Sequence, residues 1–252
     1  RIIGYYIMGK NEIENYPVLN CDPGSQSCAD LRLLIEDIPA TMLTHINFAF
    51  FGIDTNYEVE LIAAYDNSAD ECAINSTSTV IDYIDEDAAI NVFELLNNVQ
   101  ITKTWNGSSY DYTTVPDNNP DSPKDKNPDL KVLFSTGGWV FSRITQWQDI
   151  IRDPAKRDIF ATSCVDRMKR YGFDGIDLDW EYPNYPDDSG EAAIDGQDYA
   201  DTLAVIRQKL DALEASEGYT QHYLLTIASA GAPYAFKGYL SYMDRIQASL
   251  DF

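Results

Sequence analysis

Basic residues are scarce in this sequence. Eighteen lysines and arginines stand against 41 aspartates and glutamates, a formal net charge of −23. Such a surface repels phosphate backbones and anionic bilayers, so neither nucleic acid nor a membrane is expected as a partner. The acidity does not by itself name a cationic partner, because it also serves solubility. Long apolar runs are missing too: none approaches the ~20 residues that a membrane span needs. The opening RIIGYYI reads as a strand rather than as a basic segment followed by an apolar signal core. Histidine occurs only at His45 and His222, each just ahead of an apolar run, where a strand-end role is expected rather than metal ligation. Cysteine is limited to four positions. Cys21 and Cys28 lie close enough to staple a local loop, and Cys164 falls within a helical pattern as a buried thiol. Asn75 and Asn106 begin glycosylation-type tripeptides. Together these features favour an oxidising, extracellular setting, so a secreted protein is expected.

The 252 residues, 44% hydrophobic, suffice for a substantial core. Short apolar runs alternate with helical patterns, which argues for parallel strands joined by crossover helices. The runs are Ile2 to Met8, His45 to Phe51, Leu130 to Phe134, Gly175 to Trp180 and Tyr223 to Ala228. Asp153 followed by Pro154 marks a helix start, and that helix runs to about Arg170. Tyr199, Leu203, Ile206, Leu210 and Leu213 form one apolar stripe of a second helix. Residues 54–129 are too many for a plain connection and must carry structure of their own. A helix is expected near Ala88 to Asn97, then a hairpin whose arms, Asn97 to Trp105 and Ser108 to Val115, flank Asn106-Gly107. A final helix is expected over Tyr239 to Ser249, with SLDF opening a sixth strand. Five strands cannot close a barrel, so the sheet is expected to be open or to belong to a longer chain.

DGIDLDWEYP, from Asp174 to Pro183, is the most unusual stretch. Residues two apart on a strand share a face, so Asp177, Asp179 and Glu181 project together, with Ile176, Leu178 and Trp180 opposite. Such alternation also suits an amphipathic strand with its acids in water. The flanking crossovers count against that, since parallel sheets are covered on both faces. Crowded carboxylates disfavour simultaneous ionisation and retain protons, which suits general acid chemistry. Tyr182-Pro183 ends the strand and leaves Glu181 at its C-terminal end, where α/β barrels keep their active sites. Three acids could instead hold Mg²⁺ or Ca²⁺, but no phosphate-binding loop accompanies them. Neither metal nor cofactor is expected.

The third run ends in FSTGGW. Its glycines, Gly138 among them, would let backbone approach a ligand, while Ser135 can hydrogen-bond a carboxylate and Trp139 offers a flat apolar face. Tyr5, Tyr6, Phe48 and Phe50, taken singly, suit a core.

GYY, THINFAF, FSTGGW, FDGIDLDWEYP and YLLTIASAGAP, in that order, give a sequence that resembles the bacterial-type chitinases of glycoside hydrolase family 18. The likeness covers essentially the whole chain. It implies a (β/α)₈ TIM barrel, present here as strands 1 to 5 and the start of strand 6, with residues 1–252 forming one partial catalytic domain and 54–129 an insertion after strand 2. It implies hydrolysis of β-1,4-linked N-acetylglucosamine polymers with retention of configuration, the substrate's acetamido oxygen acting as nucleophile. On that likeness Glu181 is the acid/base, Asp179 orients the acetamido group and stabilises the oxazolinium ion, and Asp177 shares a proton with Asp179. Tyr5 and Ser135 would bond the Asp177 end. Phe50, Gly138, Trp139 and Tyr182 would line the sugar subsites, and Asp174 would hold the strand end. The expected partner is chitin or chito-oligosaccharide, and oligomeric state is left open. An endo-β-N-acetylglucosaminidase of N-glycans and a chitin-binding lectin share the barrel and stand as alternatives. The family's sixth-strand Met-x-Tyr-Asp motif and eighth-strand tryptophan have no counterpart among these residues, so the 252 residues alone are expected to be inactive.

Overall fold

The computed structural model describes residues 1–7, 34–66, 79–142, 146–183, 192–229, 231 and 240–252. Expectations for Met8, Cys21, Cys28, Asn75 and Tyr239 fall outside these. In chain order the elements are β1 (Ile3–Ile7), β2 (His45–Ile53), β3 (Val59–Glu60), β4 (Ile62–Asp66), β5 (Thr79–Tyr83), α1 (Glu86–Asn97), β6 (Val99–Trp105), β7 (Tyr110–Pro116), α2 (Pro123–Lys126), β8 (Lys131–Gly137), α3 (Gly138–Phe141), α4 (Gln146–Arg152), α5 (Pro154–Tyr171), β9 (Gly175–Asp179), α6 (Ala192–Ser216), β10 (Leu224–Ile227) and α7 (Met243–Gln247). Five strands pair in parallel in the order β1-β2-β8-β9-β10, each beside its predecessor. This is the strand order of a (β/α)₈ barrel, and among the described residues the barrel is not closed. None of the described helices is long and apolar enough to cross a membrane.

α5 and α1 form where the sequence supplies caps. Asp153 accepts from the Ala155 N–H, Pro154 opens α5, and Gly172 at φ 75 ends it in the left-handed region that glycine tolerates. Asp85 likewise caps Ala88, which starts α1 at Glu86, two residues before the expected Ala88. Between the barrel strands and this layer lies an aromatic core. Phe51 packs against Phe48, Phe93, Phe134, Tyr171 and Phe173 at centroid distances from 4.9 to 6.2 Å. Each such buried ring contributes about 2–3 kcal/mol through area removed from water. Cys164 is a buried free thiol, and burial pushes its ionisation upward.

The 54–129 segment holds more than was read from it. Besides α1, β3 adds antiparallel to the end of β2, and β4 pairs with β5 as a separate ribbon. The hairpin is β6-β7, with Trp105 opposite Tyr110 and a four-residue connection, Asn106 to Ser109, rather than a two-residue turn. The Asn106 carboxamide oxygen accepts from the Ser108 and Ser109 N–H groups, and Gly107 takes φ 103. The Asn106 side chain is thus part of the turn. The SLDF segment forms no strand, but the Asp251 N–H donates to the Leu225 carbonyl at 3.0 Å, alongside β10.

The sheet is strongly curled. Arg1, ahead of β1, donates to the Asp251 carbonyl at 3.2 Å and lies over the Phe252 ring at 4.2 Å, although β1 and β10 are the two ends of the five-strand path. His222 fastens the same region through Asp251 at 2.7 Å and Glu214 at 3.0 Å. The Asp251 bond, helped by Glu214, raises the His222 pKa despite some desolvation. A raised folded-state pKa gives stability that is fully present below the unfolded value of about 6.5 and is lost as pH climbs through the folded value. His222→Gln should therefore lower the thermal midpoint of the full-length protein more at about pH 5.5 than at about pH 9. Equal effects at both would refute the charged staple.

Candidate active site

One inward-facing side chain from each of the other four barrel strands meets the acids of β9 in one cluster. Ile176, Leu178 and Trp180 point outward and are almost wholly buried under the helices, where Trp180 stacks on Trp147 at 5.7 Å and meets Tyr199 edge-on at 5.5 Å. That packing fixes the strand's parity, so Asp177 and Asp179 face inward, with exposures of 1% and 2%. Such burial is tolerable only where the charge is met by donors.

Asp177 receives donors from each of the other four barrel strands. Its Oδ2 accepts from the Tyr5 hydroxyl at 3.0 Å, Asn47 Nδ2 at 2.8 Å and Ser135 Oγ at 2.8 Å, and its Oδ1 accepts from Thr226 Oγ1. Register explains the convergence. Tyr5 pairs with Asn47, Ala49 with Ser135, and Asp177 with both Ser135 and Thr226. Tyr5 also donates to Asp179 Oδ1 at 3.3 Å. Burial and the two neighbouring carboxylates push the Tyr5 phenol well above its usual range, so it remains a donor.

Asp179 is driven in the opposite sense from an ordinary surface carboxyl. Burial raises its pKa well above the carboxylate range, and the charge of Asp177, a hydrogen bond to Asp177 and the charge of Glu181 add to the effect. Asp179 thus keeps its proton to higher pH than an ordinary aspartate. Glu181 is half-buried, and burial raises its pKa too, with a hydrogen bond from Tyr182 opposing. The ladder ends at Asp179, two residues earlier than the reading of the strand to Glu181 would place it, so Glu181 stands on the chain just beyond the sheet.

Two glycines give this end of the sheet its shape. Gly137 sits at φ 113, and a Cβ there would lie 2.6 Å from the Asp179 carbonyl oxygen. Gly138 sits at φ 78, and a Cβ there would lie 3.0 Å from the Phe50 ring. Phe50 is partly exposed, and Trp139, next to Gly138 on α3, is 37% exposed. Asp174 lies elsewhere, at the opposite end of β9. Its Oδ2 accepts from the Val132 N–H at 2.8 Å and from Lys124 at 2.6 Å, which ties the strand start to β8 and α2. Non-proline cis peptides occur at Ala49–Phe50 and Glu181–Tyr182.

Asn47 and Thr226 were missed by sequence reasoning, though each is a lone polar residue inside an apolar parallel strand, a pattern that signals a buried partner. Ser142 was missed as well. Its hydroxyl donates to the Asp179 carbonyl at 3.1 Å and accepts from the Glu181 N–H at 2.6 Å.

A curled parallel sheet with a donor-saturated buried carboxylate, a second buried carboxyl beside it and a third acid just past the strand's C-terminal end defines the class, an α/β barrel-type fold with an acid cluster suited to proton transfer. The whole chain, residues 1–252, matches the family described as Glycosyl hydrolases family 18. It is 34% identical over 244 residues to Chitinase A1 of Niallia circulans, covering 93% of this chain and 31% of that protein. It is 30% identical to Chitinase B of Serratia marcescens, covering 100% of this chain and 40% of that protein. Among solved structures it superposes on chitinase ChiA74 of Bacillus thuringiensis with a TM-score of 0.61 at 24% identity, covering 100% of this chain and 38% of that one. The chain belongs to glycoside hydrolase family 18, and it spans less than half the length of these relatives.

Gly137→Ala should destabilise the full-length protein by on the order of 1–3 kcal/mol, because the added methyl meets backbone in a conformation that L residues avoid. Gly107→Ala is the control, having φ 103 with nothing within 4 Å. Chemical denaturation of both would check this, and equal losses would show that the close approach to Asp179 is unimportant.

Proposed function

We propose that the protein hydrolyses β-1,4 linkages between N-acetylglucosamine units of chitin by a retaining, substrate-assisted route. The observation that carries this is the buried Asp177–Asp179 pair, held by donors from the four other strands and electrically coupled to Glu181. Family membership and the printed names of the two bacterial chitinases support the substrate.

Glu181 is the acid and then the base. Its raised pKa keeps the proton on Glu181 at pH values where an exposed glutamate would have lost it, so it can protonate the glycosidic oxygen as that bond breaks. The acetamido oxygen of the sugar on the non-reducing side of the scissile bond attacks its own anomeric carbon, giving a cyclic oxazolinium ion and the released oligosaccharide. Asp179 holds the acetamido N–H and, on passing its proton to Asp177, gains the negative charge that stabilises the ion. Asp177 can take that proton because it is already hydrogen-bonded to Asp179. Water activated by Glu181 then opens the ring from the face opposite the acetamido oxygen, so configuration is retained over two inversions.

Phe50, Gly138, Trp139 and Tyr182 line the sugar path in this reading: aromatic faces stack on pyranose rings, and chitin, being neutral, meets no repulsion from an acidic protein. Asp174 is structural. Residues 1–252 act as part of one catalytic barrel, with 54–129 as an insertion packed outside it, and the protein works extracellularly, where polymeric chitin is found.

Glu181→Gln in the full-length protein should reduce turnover of chito-oligosaccharides by 10²-fold or more, in line with loss of a general acid, while the dissociation constant stays within about threefold. Retained turnover would refute the assignment. The alkaline limb of kcat/KM should lie above the ~4.3 of an ordinary glutamate, since the active form is the protonated one and burial raises its pKa; a limb at or below that value would contradict a desolvated acid. Soluble oligomers should appear from colloidal chitin, and release of N-glycan from a glycoprotein instead would reassign the substrate.

A further inference from the structure

Glu181 lies beyond the ladder that positions the other two acids. β8 pairs with β9 as far as Asp179, and β10 only as far as Leu178, with the Ala228 N–H closing on the Leu178 carbonyl. The peptide groups on either side of Trp180 are therefore held by something other than the sheet. That something is the Ser142 hydroxyl, which donates to the Asp179 carbonyl at 3.1 Å and accepts from the Glu181 N–H at 2.6 Å. One hydroxyl has the donor and the acceptor that this bridge requires.

Ser142 is itself fixed. Its N–H donates to the Gly138 carbonyl at 2.9 Å, closing the α3 turn. Phe141, just before it, is buried and packs so closely on Gly52 that a Cβ there would clash with the ring. The bridge therefore connects the turn after β8 to the chain that carries Glu181. A glutamate reaches its carboxyl through three torsions, so displacement of its backbone is passed on to the carboxyl position. Misplacement of a reacting group by about 1 Å can cost 10²-fold in rate.

We propose that Ser142 is a positioning residue for the acid step, holding the Glu181 main chain so that the carboxyl meets the glycosidic oxygen. The proposal rests on the reading of Glu181 as the acid. It predicts a loss confined to substrates that need protonation. In the full-length protein, Ser142→Ala should lower kcat/KM for chitotetraose about 10- to 100-fold. With 2,4-dinitrophenyl chitobioside, whose leaving group departs with little help from an acid, the loss should stay under about threefold. Ser142→Thr, which keeps the hydroxyl, should restore the tetraose rate to within about threefold of the parent. Equal losses on both substrates would show a general structural role and overturn the proposal, as would no loss on either. Should the alanine variant fail to fold, Ser142→Cys, nearly isosteric and a weak donor, is read by the same comparison. Glu181→Gln separates the two levels of inference. Asymmetry in Glu181→Gln without asymmetry in the Ser142 variants refutes the positioning role alone, whereas its absence in Glu181→Gln refutes the acid and the positioning role with it.

Discussion

Four hydrogen bonds to the Asp177 carboxylate, one from each of β1, β2, β8 and β10, set the conditions for everything else in this molecule. A carboxylate only 1% exposed in the middle of a parallel sheet is unfavourable unless its acceptor sites are filled. Tyr5 reaches it from β1 across two intervening strands, which a flat sheet would not allow, since neighbouring strands lie about 4.8 Å apart. The cluster and the curl of the sheet are thus one feature. Loss of the curl would strand the charge, and loss of the charge would leave the donors without an acceptor.

The outer face of β9 makes that arrangement stable. Trp180 stacked on Trp147, with Ile176 and Leu178 under the helices, holds the strand's parity against the one-residue slip that would send both aspartates into the core and the tryptophan into the cleft. Gly137 and Gly138 then allow the end of β8 to pass over the Asp179 carbonyl and beneath Phe50 without a clash. Apolar packing outside and polar convergence inside are consequences of the same period-two alternation.

Electrostatics acts on the cluster in a graded way. Asp177 is surrounded by donors, Asp179 sits between two acids and retains a proton, and Glu181, beyond the sheet and half-buried, is raised by desolvation. A chain carrying −23 overall supports such retention, because added negative charge disfavours further ionisation. Three chemically similar groups are thereby placed in three different environments.

The five barrel strands, the α5, α6 and α1 helices and the hairpin arms were legible in the sequence, because each depends on local signals: short apolar runs, the cap at Asp153, an apolar helical stripe and Asn106-Gly107. The acidic column was legible for the same reason. The extra strands β3, β4 and β5 were not, since their pairing partners are chosen by tertiary contact rather than by a pattern within each strand. Asn47, Thr226 and Ser142 escaped notice because a single polar side chain carries no periodicity. Asn47 and Thr226 gain meaning only when curvature brings four strands to one carboxylate, and Ser142 only when the turn after β8 is set against the end of β9. By itself, then, the sequence determined which residues share a face and where helices start, as these follow from backbone geometry within a few residues. The tertiary structure alone decided that Asn47 and Thr226 also donate to Asp177, how far burial raises Asp179, and what holds the Glu181 main chain, because hydrogen bonding and desolvation depend on distances between parts of the chain up to 174 residues apart.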